Sequence, residues 1–288
     1  MLIAQVLING LILGGLYACV AAGFSLVWGV LNVINLLHGT MVVLGSYLAW
    51  LAWREFGVHP LVALPAVALI TAALGALVQA GLLNAVVGAP VLITLVVTFG
   101  LNLMLNDALL VGFGADYRTI RPAWSAGTAL LGSLRIPLDR AMAATTALAM
   151  TALLWLLLRR SWLGRAIVAV RMDGDAAALM GIRVRRVYIA TFALGAGLAG
   201  AAGALLGLVF PISPLASEAY LGTAFTVCVL GGLGSVVGAV AGGLALGLIE
   251  SVAGLYLGSA NASIASFVLL ILLLAVRPDG LFGRKGFA

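Results

Sequence analysis

Leu7 to Gly29 reads LINGLILGGLYACVAAGFSLVWG, an apolar run without a formal charge. A helix that crosses a bilayer needs about 20 such residues. No charge precedes Arg54, so the run lacks the basic flank of a cleaved signal, and it is expected to stay in place as a helix. Comparable runs predict spans near 33–53, 61–83, 90–112, 140–158, 187–210, 235–257 and 261–276. A shorter Gly-rich stretch, 220–233, predicts a half-helix or re-entrant segment, tolerated only when buried in protein or facing water. The expected fold is all-α: a polytopic transmembrane bundle of about eight spans plus this short element, in one domain over residues 1–288.

Composition agrees. Hydrophobic residues make up 64% of the chain and charged residues 8%, against roughly 25% charged in a soluble domain. Glycine is abundant, 37 of 288 residues, and in membranes glycine lets helices approach closely. Small-xxx-small pairs recur at Gly10/Gly14, Gly203/Gly207, Gly234/Gly238, Gly238/Gly242, Gly243/Gly247 and Gly254/Gly258. Tight helix packing is one reading of these pairs and a gating hinge the other. The net charge of +6 is accounted for by basic loops, and no soluble domain is present to carry a nucleic-acid surface. Cys19 and Cys228 lie in apolar runs, and with His38 and His59 they give no metal-ligand spacing.

Two loops are hydrophilic. One, about 113–138, holds Asp116, Arg118, Arg121, Pro122 and Arg135. The other, about 159–187, holds seven arginines (159, 160, 165, 171, 183, 185 and 186) against Asp173 and Asp175. The positive-inside rule places the second loop in the cytoplasm, and counting back through five spans places the N-terminus outside. The tail, with Arg277, Arg284 and Lys285 against Asp279, is also expected inside, which requires 220–233 to cross as a ninth element.

Several chemistries are missing. Lys285 is the only lysine and Gly286 follows it, so the chain has no phosphate-binding G-x-x-x-x-G-K-[ST] loop, and any ATP must bind another subunit. A G-x-S-x-G elbow is absent, and no two carboxylates lie close in sequence within a span. An intramembrane enzyme is therefore disfavoured.

Polar residues inside spans mark candidate sites, because in lipid they must face protein or water. Thr94, Thr98, Asn102 and Asn106 recur every four residues along one helix face. They either bond neighbouring helices or line a translocation path. Asn35 and His38, ahead of Gly39, form a second candidate pair, and Glu250 is the one acid deep in a late span. A structural partner is the competing reading for each. Glu218 is expected as a solvated acid near an external mouth.

The basic loop contains Gly164, Arg165 and then Asp173-Gly174-Asp175-Ala176-Ala177-Ala178-Leu179-Met180-Gly181. Acids favour a helix start and glycine a helix stop, which predicts a short surface helix over Asp175 to Met180; an ordinary solvated connector lying on the lipid headgroups is the competing reading. The segment DAAALMG resembles the E-A-A-x-x-x-G motif of ABC importer permeases, with Asp175 in place of Glu. Four further stretches resemble the permeases of branched-chain amino acid importers, the LivH/LivM type: NGLILGGLYA from Asn9, INLLHG from Ile34, GGLGS from Gly231 and RPDGLFG from Arg277. Their order is kept along nearly the whole chain, and its length and single basic loop suit the LivH type.

The resemblance implies a division of labour in a bacterial inner membrane. A periplasmic or lipoprotein binding protein delivers the amino acid. This chain and a second permease, LivM-like or a copy of itself, form the path. Two ATPase subunits, which bind ATP and Mg, dock on the loop containing Gly164, Arg165, Asp173, Asp175, Ala176, Ala177 and Gly181. No cofactor is implied in this chain. The competing function is a stand-alone carrier or facilitator for small amino acids, amides or urea, which would need several coupled intramembrane ionisable groups; His38 and Glu250 are the candidates.

Overall fold

A computed structural model describes residues 2–121, 127–131, 134–258 and 261–276. Pro122, the RPDGLFG signature and the charged tail lie outside these residues. The chain folds as eleven described helices: α1 (Leu2–Leu31), α2 (His38–Phe56), α3 (Pro60–Gly81), α4 (Val91–Phe113), α5 (Leu138–Arg160), α6 (Trp162–Met172), α7 (Gly174–Leu179), α8 (Val184–Val209), α9 (Ser217–Gly231), α10 (Val236–Leu257) and α11 (Ala262–Val276). Six of them, α1, α3, α4, α5, α8 and α10, are long and apolar enough to cross a membrane. The expected eight spans map onto these six together with α2, which carries Arg54 and Glu55 in its last turns, and the 15-residue α11. The short stretch near 220–233 is α9, a helix of 15 residues.

The loop near 113–138 contains a feature that its composition does not announce. Strands β1 (Thr128–Leu131) and β2 (Leu134–Pro137) pair antiparallel, with Thr128 opposite Pro137. The side chain of Gln5 seals the hairpin edge. Its Nε2 donates to the carbonyl of Arg135 at 2.8 Å, and its Oε1 accepts from the Arg135 amide at 2.9 Å. The start of α1 is thereby tied to the hairpin. Near the other end of α1, Gly29 packs on Gly234, which in turn contacts Arg171 of the basic loop. The two hydrophilic loops therefore occupy opposite ends of the bundle, as alternating spans require.

α1 and α8 form the core, with most of each buried. Glycine explains how. α1 and α10 run antiparallel along a seam in which Gly10 faces Gly247 and Leu248, and Gly14 faces Gly243 and Leu244. A Cβ on Gly14 would sit 2.7 Å from the Cα of Leu244, so a side chain there forces the helices apart. On the other side of the core, α8 meets α2 through Gly45 against Gly200 and Gly203 against Val42, and meets α3 through Gly75 against Ala196. Packing is thus the use of most of the recurrent glycine pairs. Gly254 and Gly258 differ: among the described residues nothing presses on Gly258, and only Ala262 comes within 4 Å of a Cβ on Gly254.

Two breaks interrupt the helices. α2 begins at His38 and not at 33, because residues 32–37 are not helical. Asn32 takes a left-handed turn (φ 52°), and the chain folds back along α1 until His38 Nε2 meets the carbonyl of Val20 at 2.9 Å. The second break, 210–216, lies between α8 and α9 and holds a single 3-10 turn. Unwound backbone at membrane depth needs hydrogen-bond partners from the protein, and the polar residues of α4 provide some of them.

Candidate functional site

The four-residue stripe on α4 faces these breaks. Thr98 Oγ1 donates to the carbonyl of Ile34, inside the first break, at 2.9 Å. Thr40, in the first turn of α2, donates to Asn102 Oδ1. Ser217, the first residue of α9, donates to Asn106 Oδ1 at 3.5 Å. Thr94 bonds within its own helix, to the Val91 carbonyl at 2.8 Å. α4 is the least buried of the six long spans, and beside it an apolar cavity of about 230 Å³ opens among Leu37, Met41, Leu74, Val78, Leu101 and Leu105. Thr98, Asn102 and Asn106 thus make polar attachments across a loosely packed contact.

Asn35 and His38 are both buried. A carbonyl can only accept, so His38 donates to Val20 from Nε2. The ring also stands edge-on to Phe24, with centroids 5.4 Å apart. Neither Asn35 nor His38 lines either cavity.

Glu250 does. A second cavity, of about 340 Å³, lies among α1, α9, α10 and α11. Tyr17, Tyr220, Thr223, Thr226, Leu246 and Glu250 line it, and Tyr117 and Phe210 stand at its rim near the hairpin end of the bundle. The Tyr17 hydroxyl donates to Glu250 Oε2 at 2.7 Å. The cavity offers aromatic and aliphatic walls with one carboxylate and several hydroxyls, a lining suited to a small amphipathic molecule. Glu218, in the first turn of α9, is exposed, and its negative charge suits a helix start.

At the opposite end, the basic loop folds as two helices. Ser161 caps α6 by accepting from the Gly164 amide at 2.9 Å. Gly164 is buried at the corner between α5 and α6, where a Cβ would overlap the carbonyl of Leu158. Ala166, Ile167 and Val170 are buried beneath α6, while Arg165 is exposed. Asp173 caps α7, its carboxylate accepting from the amides of Asp175 and Ala176 at 3.0 and 2.9 Å. The expected short helix over Asp175 to Met180 is observed as α7, one residue earlier at each end. It ends in a Schellman turn: the amide of Ile182 bonds to Ala177 and that of Gly181 to Ala178, with Gly181 left-handed (φ 83°). Ala177 is buried, whereas Met172, Leu179 and Met180 are each more than 80% exposed. Three large apolar side chains stand among exposed arginines 165, 183, 185 and 186, a pattern that marks a face in contact with another protein or with the membrane surface.

Sequence reasoning missed two elements of this arrangement. One is α6, whose buried positions Ala166, Ile167 and Val170 repeat at helical spacing beneath the conspicuous charges. The other is Arg171, the last-turn cation of α6. Its Nη1 donates to the Gly234 carbonyl at 2.6 Å, and partial burial pulls the guanidinium below its usual pKa.

The profile of the family described as "Branched-chain amino acid transport system / permease component" matches residues 6–277. The high-affinity branched-chain amino acid transport system permease protein LivH of Salmonella typhimurium is 34% identical, with 97% of this chain and 95% of that protein covered. The corresponding protein BraD of Pseudomonas aeruginosa is 32% identical over the same shares. A probable branched-chain amino acid transport permease protein LivH of Methanocaldococcus jannaschii is 27% identical, covering 97% of this chain and 92% of that one. No solved structure gives a significant match.

Proposed function

The chain belongs to the family of branched-chain amino acid transport permeases, and from that premise we propose that it is the membrane-spanning subunit of an ATP-driven importer for leucine, isoleucine and valine. It is a multi-pass membrane protein, and the bacterial origin of the relatives supports the inner membrane as its location. The observation that carries the ATP-driven part of the reading is the α6–α7 face. A capped two-helix segment that exposes Met172, Leu179 and Met180 needs a protein partner to cover it. Two ATPase subunits are the partners that the family reading provides, and they bind the ATP and Mg for which this chain has no loop. A second permease completes the path, and an external binding protein delivers the amino acid. The single domain of residues 1–288 then works as a conduit. The cavity at Glu250 lies on the outward half of its path, and Thr98, Asn102 and Asn106 of the polar stripe, with His38, hold the broken helices in place.

The test is to isolate the tagged chain from its native membrane in mild detergent and identify what accompanies it by mass spectrometry. An ABC ATPase and a second permease in stoichiometric amounts are expected. A chain that comes down alone, while still carrying leucine in liposomes, overturns the ATP-driven reading in favour of a carrier.

A further inference from the structure

We infer that Arg171 is the positioning residue that carries movement of the α6–α7 segment to the Glu250 cavity, through its grip on Gly234 at the joint between α9 and α10. The inference rests on the importer reading above. The joint is built to be held. Gly232 and Gly234 are both left-handed, with φ of 93° and 79°. At Gly234 a Cβ would stand 2.8 Å from Arg171 Nη2 and 3.1 Å from the Cα of Gly29. Only glycine admits both the guanidinium and α1 at that point. The bond from Arg171 to the Gly234 carbonyl is charge-assisted, short and partly buried, so it resists screening better than a surface contact.

Beyond the joint, α9 and α10 are pressed together. A Cβ on Gly231 would overlap the carbonyl of Gly238, and one on Gly242 would overlap the carbonyl of Val227. Helices in such contact move as a pair. Their farther turns bring Tyr220, Thr223 and Thr226 from α9, and Leu246 and Glu250 from α10, to the cavity wall. α9 starts at the second helix break, and a helix terminus is where a hinge can absorb a change of backbone angle. A displacement of α6 therefore pulls the joint between α9 and α10 and re-angles the cavity wall at the other end. The competing route runs along the chain from Gly181 into α8, and it bypasses Arg171.

The experiment uses the complete transporter, purified with its partners and reconstituted in liposomes, with ATP hydrolysis and labelled-leucine uptake measured on the same preparation. Arg171→Ala is expected to keep the ATPase bound and hydrolysing, while leucine carried per ATP falls by about tenfold, a typical size for coupling between sites. Arg171→Lys, which keeps a cationic donor, is expected to restore part of the loss. A cysteine introduced as Thr223→Cys reports on the cavity. Its labelling by an impermeant maleimide should change when ATP and vanadate trap the native complex, and stay constant in the Arg171→Ala background. Normal leucine per ATP in Arg171→Ala, or an unaltered labelling response, overturns the inference and favours the route through α8. Loss of the ATPase from the variant complex also overturns it, by assigning Arg171 to assembly. A native chain that brings down no ATPase overturns the importer reading first, and this inference with it.

Discussion

The hydroxyl of Tyr17 and the carboxylate of Glu250 lie 2.7 Å apart, joining α1 to α10 at the wall of the larger cavity. Interhelical hydrogen bonds in membranes contribute modestly, about 0.6 kcal/mol on average and up to ~1.7 kcal/mol. A double-mutant cycle of Tyr17→Phe and Glu250→Gln is therefore expected to show a coupling energy of about 1 kcal/mol in detergent unfolding. Uptake is expected to respond more strongly, because Glu250→Gln removes the one carboxylate in the cavity lining. Full leucine uptake by Glu250→Gln at native expression would take the cavity off the path.

Gly181 tests the docking segment. Its φ of 83° is left-handed, and no described residue crowds a Cβ there. Gly181→Ala should cost only the backbone strain, about 1–2 kcal/mol. Gly181→Arg adds a bulky cation beside Leu179 and Met180, and uptake is expected to be lost while the protein stays in the membrane. The check is uptake alongside membrane content by immunoblot, and normal uptake in Gly181→Arg counts against docking at this face.

The α1–α10 seam predicts a sharp contrast among glycines. A Cβ on Gly247 would overlap the backbone nitrogen of Gly14, whereas one on Gly100 meets none of the described residues within 4 Å. Overpacking a tight contact costs typically ~1–3 kcal/mol and rises where backbone must move. Gly247→Leu is expected to abolish the monodisperse peak in fluorescence-detected size exclusion, and Gly100→Leu to leave it intact. Equal behaviour of the two variants would contradict the seam.

The positions of the spans were legible because a run of apolar residues answers to the bilayer itself, whatever its neighbours. The cap and stop of α7 were legible for a similar reason: Asp173 and Gly181 act on backbone within a few residues of themselves. The breaks were not. Asn32 to Leu37 is almost as apolar as the helices around it, and what holds it unwound includes Thr98, 64 positions from Ile34. The same limit hid the link between Tyr17 and Glu250, 233 positions apart. Glu250 could be singled out as an acid in a span, but its partner belongs to tertiary structure. α6 is a different case, since its periodicity is local and is masked by seven arginines in the same loop.

The two threonines of the α4 stripe separate its possible roles. Both are buried, but Thr98 serves the unwound segment through Ile34, while among the described residues Thr94 bonds only to its own helix. Thr98→Val keeps the shape and removes the donor, leaving the Ile34 carbonyl without it in a low-dielectric setting. The expected cost is about 1–3 kcal/mol, the penalty for stranding a buried acceptor. Thr94→Val leaves only the Val91 carbonyl, which the helix itself engages, and should change stability little. The measurement is the denaturant midpoint of each variant in detergent, set against leucine uptake in liposomes. A fall in stability at Thr98 alone, with uptake following it, identifies the stripe as the fastening of the first helix break. Loss of uptake at Thr94 with stability unchanged would instead put the stripe on the amino acid's route, because a hydroxyl that holds no second element can matter to transport only by meeting what passes.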